Sequence, residues 1–118
     1  MDYSSQVSQK IIITEKGKLR QIALECISHV RCDGYISIIY TSSKEINTAI
    51  PVCISLLEIE SKFKGYHFLR VDRNCIVNLK YVEILDAKTK TITMQNQTKL
   101  KVSRRRYSEV SKYFAIHT

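Results

Sequence analysis

Apolar and polar residues alternate along most of this chain, and the alternation predicts strands. Residues 11–14 and 19–22 are β-branched or alternating runs joined by Glu15-Lys16-Gly17-Lys18, a pattern that predicts a hairpin. Residues 27–31 and 35–41 flank Cys32-Asp33-Gly34, where Asp-Gly supplies a tight-turn signal. On the second of these strands Ile36, Ile38 and Tyr40 share one face, and Tyr35, Ser37 and Ile39 share the other. Residues 46–52 form a further strand candidate, and Pro51, which has no N–H to donate, suggests a sheet edge.

The period then changes. Ser55-Leu56-Leu57-Glu58 has the form of a capping box, and Leu56, Ile59 and Phe63 recur at helical spacing. A helix of about two to three turns is expected, ending near Gly65. Alternation returns over residues 68–72, 76–78, 81–86, 91–95 and 98–102. Val82 with Ile84, Ile92 with Met94, and Leu100 with Val102 are each expected to face one side of a meander. Its turns fall at residues 87–90 and at Asn96-Gln97. Residues 103–114 close the chain as a helix, with Tyr107, Val110 and Phe114 in one apolar stripe. The expected fold is mostly β with two short helices. Neither repeats nor a Pro/Gly/Ser-rich linker interrupts it, so residues 10–118 read as a single domain behind a loose segment at residues 1–9.

Size permits such a fold to stand alone, because 118 residues with 44% hydrophobic side chains can bury a core without staples. No apolar run approaches the roughly 18 residues that a membrane helix needs, and the first nine residues are polar, so the expected location is the cytoplasm. Cys26, Cys32, Cys53 and Cys75 form no Cys-x-x-Cys pair and sit among aliphatic neighbours, which predicts reduced, buried thiols.

Charge changes the picture most. Residues 62–106 hold twelve Lys and Arg against three acids, whereas the rest of the chain holds seven against eight. The whole carries +8, with an isoelectric point near 9.4. Clustered cations repel one another, so this density points to a polyanion as partner: nucleic acid or an anionic membrane surface.

Two places in the basic region break local rules. The last helix opens Ser103-Arg104-Arg105-Arg106, with Ser103 as N-cap and three cations at the positive end of the helix dipole. Each cation there costs about 0.3–1 kcal/mol, and a capping box has Glu or Gln where Arg106 stands. A phosphate docked at that terminus reverses the sign, since amides and guanidinium forks then converge on one anion. Alternatively the arginines pair with acids elsewhere, or the chain forms no cap at all. The second place is Arg70-Val71-Asp72-Arg73-Asn74, where Leu69 and Val71 take the core face and Arg73-Asn74 sits where one strand turns into the next. Bidentate Arg reads guanine in the major groove, and Asn can serve adenine or phosphate. Asp72 could equally neutralise Arg70 or Arg73 in a surface ion pair worth little.

The run Phe68-Leu69-Arg70-Val71-Asp72-Arg73-Asn74-Cys75-Ile76-Val77-Asn78-Leu79, then Val82-Glu83-Ile84, then Leu100-Lys101-Val102-Ser103-Arg104-Arg105-Arg106-Tyr107, resembles the LytTR DNA-binding domain. That family usually reads F-x-R-x-H-R-S-[YF]-I-V-N in the first block and hydrophobic-x-V-S-R-R-x-Y in the last. The resemblance spans about residues 10–114. It implies an elongated arrangement of small antiparallel sheets with short helices. It also implies binding of duplex DNA at promoter repeats, through loops that enter successive major grooves, in transcription regulation of the response-regulator type. By position, the resemblance places Arg73 and Arg105 at base edges and Tyr35 near a third contact on an earlier loop. Asn74 and Ser103 fall at backbone-contacting positions, and charge and location add Arg104, Arg106 and Lys80. The family domain commonly follows a receiver or sensor module, which becomes an implied partner. Asp72, Asn74 and Cys75 depart from the family's His, Ser and aromatic. An acid beside the contact loop either orients Arg73 through a salt bridge or weakens the loop's hold on phosphate.

Catalytic chemistry is sparse. His29, His67 and His117 show no metal-ligand spacing, and no nucleophile motif or Gly-rich phosphate loop is present, so neither enzyme nor cofactor is expected. A basic β domain that binds a protein partner or an anionic surface is the competing reading. An RNA binder is a weaker one, for want of an aromatic RNP-like strand.

Overall fold

The computed structural model describes residues 9–42 and 47–116. Among them, strands and two α-helices build antiparallel sheets of two, five and three strands, so the fold is mostly β as expected. The first sheet is the predicted hairpin of β1 (Lys10–Glu15) and β2 (Lys18–Ala23). Glu15 pairs with Lys18, which leaves Lys16-Gly17 as a two-residue turn with φ of 51° and 78°. Two successive positive φ values make a type I′ turn, whose twist suits the strands and which Gly enters without steric cost.

β3 (Ile27–Asp33) and β4 (Ile36–Ser42) form the second hairpin, with Asp33 paired to Ile36. Its turn is therefore Gly34-Tyr35, one residue later than the Asp33-Gly34 signal suggested, and Tyr35 leaves the strand for the tip. Gly34 has φ 66° and Tyr35 lies outside the positive-φ region, the type II′ arrangement that needs Gly first. In β4 the core face is Ser37 and Ile39, both buried, while Ile36 is exposed. β5 (Asn47–Val52) pairs along β4 at the sheet edge, as Pro51 suggested; the predicted start at Ile46 lies outside the described residues.

The five-stranded order is β5-β4-β3-β7-β6, with β6 (Phe68–Asp72) and β7 (Cys75–Asn78). β7 is buried on both faces and joins two cores. Ile76 packs with β1 to β5 and with α1 (Leu56–Lys62), whereas Cys75 and Val77 pack with the three-stranded sheet and the last helix. Asn78 is buried too. Its side-chain N–H donates to the Ile27 carbonyl at 2.9 Å and its Oδ1 accepts the Lys80 amide at 3.0 Å, which fastens β7 to β3. An unpaired buried amide there costs about 1–3 kcal/mol, so this polar residue is structural. α1 starts at the predicted cap, with Ser55 Oγ accepting the Glu58 amide at 3.1 Å.

β8 (Val82–Asp86), β9 (Thr91–Met94) and β10 (Lys99–Lys101) form the meander in the order β10-β9-β8. Ile92, Met94, Leu100 and Val102 are buried as expected. Ile84 is not: it is 51% exposed, and Leu85 packs against the second core instead. A register shift between Val82 and Ile84 inserts one residue and inverts the alternation, which separates the faces of these two side chains. α2 (Arg104–Ile116) lays Val110 on this core with Tyr107 and Phe114 beside it.

The four thiols are free, yet their environments differ from expectation. Cys75 is buried, Cys26 and Cys32 are half-buried, and Cys53, one residue past the end of β5, is exposed. Burial pushes the Cys75 thiol up to about 12, against the opposing pull of Arg31. Among the described residues no helix is long and apolar enough to cross a membrane.

Candidate nucleic-acid interface

Arg73 and Asn74 form the turn between β6 and β7, where Asp72 pairs with Cys75, and both are exposed. Just before the turn the register shifts between Arg70 and Asp72, a bulge that bends the end of β6. The bent end meets the start of α2: the Ser103 amide donates to the Val71 carbonyl at 2.9 Å. Ser103 Oγ accepts the Arg106 amide at 3.3 Å, so the predicted N-cap is present, with Arg104 and Arg105 exposed on the first turn. Arg73 and Arg105 each lie two residues beyond this Val71–Ser103 bond. Two residues span at most about 7 Å, so both guanidinium groups start from the same end of the molecule.

The other flank of the turn touches the β3–β4 hairpin. The Cys32 amide donates to the Asn74 carbonyl at 2.9 Å and Arg31 pairs with Cys75, which puts the tip bearing Tyr35 beside Arg73-Asn74. Tyr35 is 99% exposed, a large aromatic with no packing partner among the described residues. Lys80 is placed elsewhere. It follows the far end of β7, whose four residues rise about 13 Å, and its carbonyl accepts Gln95 Nε2 at 3.1 Å.

Arg104, Arg105 and Arg106 make no ion pair with any described residue. The alternative in which acids of this chain absorb them is therefore unmet among the described residues, and three cations stand at a positive helix end. The ion pairs weighed for Asp72 are both absent among the described residues. Arg70 instead reaches Glu60 Oε1 at 3.0 Å, with its side chain only 17% exposed. The alternation of β6 pointed to a surface cation, but Glu60 of α1 lines the same groove and supplies the carboxylate.

Sequence reasoning passed over Lys90. Its carbonyl accepts the Val102 amide at 2.8 Å and its Nζ stands 4.8 Å from the Tyr107 ring centroid, so the β8–β9 turn also borders the start of α2. The available signal was the predicted turn at residues 87–90, which carries Lys88 and Lys90.

Loop-borne cations, an exposed aromatic and a helix start thus share one end of a three-sheet fold. The model of the LytTr DNA-binding domain family matches residues 17–115, almost the whole of the described fold. This chain belongs to the LytTr DNA-binding domain family. A solved LytTr DNA-binding domain, that of a putative methyl-accepting/DNA response regulator from Bacillus cereus, superposes with a TM-score of 0.70. The two share 17% identity over 90% of this chain and 95% of that one, a likeness that establishes the LytTr fold. No curated protein sequence matches the chain. Within the LytTr pattern, Cys75 replaces an aromatic at a position that here points into the second core. The departure therefore alters packing under the β6–β7 turn, and not the groups that the turn presents.

Proposed function

We propose that this chain binds duplex DNA sequence-specifically, as the output domain of a transcription regulator of the response-regulator type. In this reading residues 10–118 act as one domain. Arg73 and Arg105 contact base edges in the major groove, and Tyr35 offers its ring to a thymine methyl or its hydroxyl to a base edge. Asn74, Ser103, Arg104 and Arg106 bind the phosphates around them, with the α2 amides adding to the helix-end attraction for anions. Lys80, remote from the others, serves a backbone position farther along the duplex. Paired sites in promoter repeats, a cytoplasmic location and an upstream receiver or sensor module complete the proposal. No catalytic step is assigned.

One observation supports the reading above all: the Val71–Ser103 hydrogen bond, which brings Arg73 and Arg105, far apart in sequence, to one exposed end. Membership of a family of DNA-binding domains supports the choice of polyanion. Selection of binding sites from random duplexes tests it. Enrichment of a short motif is the expected result. Retention of all duplexes alike overturns sequence-specific reading and leaves a basic domain for a protein partner or anionic surface.

A further inference from the structure

Arg70 is the most heavily engaged cation near the contact turn. Its Nη1 donates to Glu60 Oε1 at 3.0 Å, its Nε to the Asp72 carbonyl at 3.4 Å, and its Nη2 to the Arg73 carbonyl. One guanidinium therefore spans α1, the bulged end of β6 and the first residue of the turn. A guanidinium offers donors in a rigid planar fork, so fixing one edge on a carboxylate fixes where the others point. The Arg70 side chain is mostly buried, Glu60 is 40% exposed, and both line a groove that residues of the two helices border. That groove has a volume of about 630 Å³ and is bordered by Arg70, Arg106 and Glu109.

We infer that Arg70 is a positioning residue for DNA recognition: anchored by Glu60, it holds the backbone of the β6–β7 turn so that Arg73 is presented in one orientation. The inference rests on the proposed role of Arg73. A turn of two exposed residues has little packing to define it, and the bulge removes a regular ladder position beside it. The Cys32 amide holds the Asn74 carbonyl and Arg70 binds the Arg73 carbonyl from the protein side, which leaves the exposed Arg73 side chain to the solvent side. Pre-organisation of this kind lowers the ordering cost on binding and acts on the specific complex, where geometry matters, more than on loose contact with phosphates. It also links α1 to the interface, because a change at Glu60 is transmitted through a single side chain to the turn.

The test compares Arg70→Lys, Arg70→Gln and Glu60→Gln with the unaltered chain. Lys keeps the charge but cannot fork. Arg70→Lys is expected to lose about tenfold or more in affinity for the selected motif while affinity for unrelated duplex and the salt slope stay unchanged. Glu60→Gln keeps a neutral acceptor and is expected to lose roughly threefold or less. Amide NMR signals of Arg73 and Asn74 in the free protein should shift and broaden in Arg70→Lys, with signals of the cores unmoved. Three results overturn the inference: Arg70→Lys binding the motif like the unaltered chain, Arg70→Gln lowering the salt slope by about one at constant specificity, or all affinities falling only in step with lost folded protein. The NMR arm needs no DNA. A loosened turn in Arg70→Lys, together with an unaltered chain that selects no motif, overturns the DNA reading and still supports the positioning.

Discussion

The amide of Ser103 donates to the carbonyl of Val71 at 2.9 Å, and this bond, with the packing of Val71 beside Val102 in the second core, joins two blocks far apart in sequence. Val71 ends the core-facing part of β6, and Ser103 caps α2. The residues beyond them, Arg73 on one side and Arg105 on the other, inherit their placement from that junction. Disturbing it should therefore change recognition and stability together. Changing a side chain beyond it should change recognition alone.

Ser103→Ala tests the helix cap beside the junction. The amide bond to Val71 survives in the variant, but the hydroxyl that accepts the Arg106 amide does not. Loss of an N-cap costs about 0.5–2 kcal/mol, and cations in the first turn should push this case toward the upper half of that range. Thermal unfolding should fall by about 4 °C or more, with weaker DNA binding at temperatures where the protein stays folded. A variant as stable as the parent shows that the hydroxyl contributes no cap.

Arg105→Ala should act on one base position. If Arg105 makes a bidentate base contact, truncation costs about 1–3 kcal/mol on the selected motif and relaxes preference at a single base pair. Arg104→Ala should instead weaken every duplex alike and reduce the slope of log K against log salt by about one. With six phosphates neutralised, the parent slope is expected near −5. Titrations at several salt concentrations, with motif and scrambled duplexes, separate the two arginines. A pair of variants with identical profiles removes the distinction between reader and clamp.

The elements were largely legible because they depend on local signals. The Ser55 cap, the Lys16-Gly17 turn and the apolar stripe of α2 are set by residues within one or two turns of each other, and the structure agrees with each. Failures occur where tertiary packing overrides period. The bulge beside Glu83 reverses the faces of Ile84 and Leu85, and nothing in an alternating run announces an inserted residue. Gly34 took the first turn position in place of the second, because a glycine at positive φ satisfies either register until the strands pair. At the site, the cations were readable from charge density and resemblance. The Arg70–Glu60 tie was not, since it crosses from a helix to a strand and depends on the tertiary placement of α1.

The thiols should report the two kinds of burial. Only thiolate reacts with alkylating agents, and a group pushed up to about 12 is about 10⁻⁴ ionised at pH 8. Cys53, exposed beyond the β5 edge, should be modified first by iodoacetamide, whereas Cys75 should be protected until the protein unfolds. Mass spectrometry of peptides from native and urea-treated samples measures the order. Rapid labelling of Cys75 in the native protein contradicts its place in the second core.

His29 should make stability depend on pH. Its side chain is 2% exposed, its ring stacks on Tyr40 at 4.3 Å between centroids, and its Nδ1 lies 2.6 Å from Ser28 Oγ. Burial first, and the nearby Arg31 charge second, lower its pKa to about 4, against about 6.5 for an unfolded histidine. Between those values the unfolded chain takes up a proton that the folded chain refuses, so stability rises with pH across the window. The contribution is fully present above about pH 6.5 and is lost as pH falls to about 4, a change of roughly 3 kcal/mol. Urea unfolding at pH 7, 6, 5 and 4 should show this decline. His29→Gln cannot titrate; it should be less stable at pH 7 because the stack and fit are lost, yet decline less steeply. The two curves should approach each other near pH 4, whereas parallel curves assign the acid sensitivity to other groups.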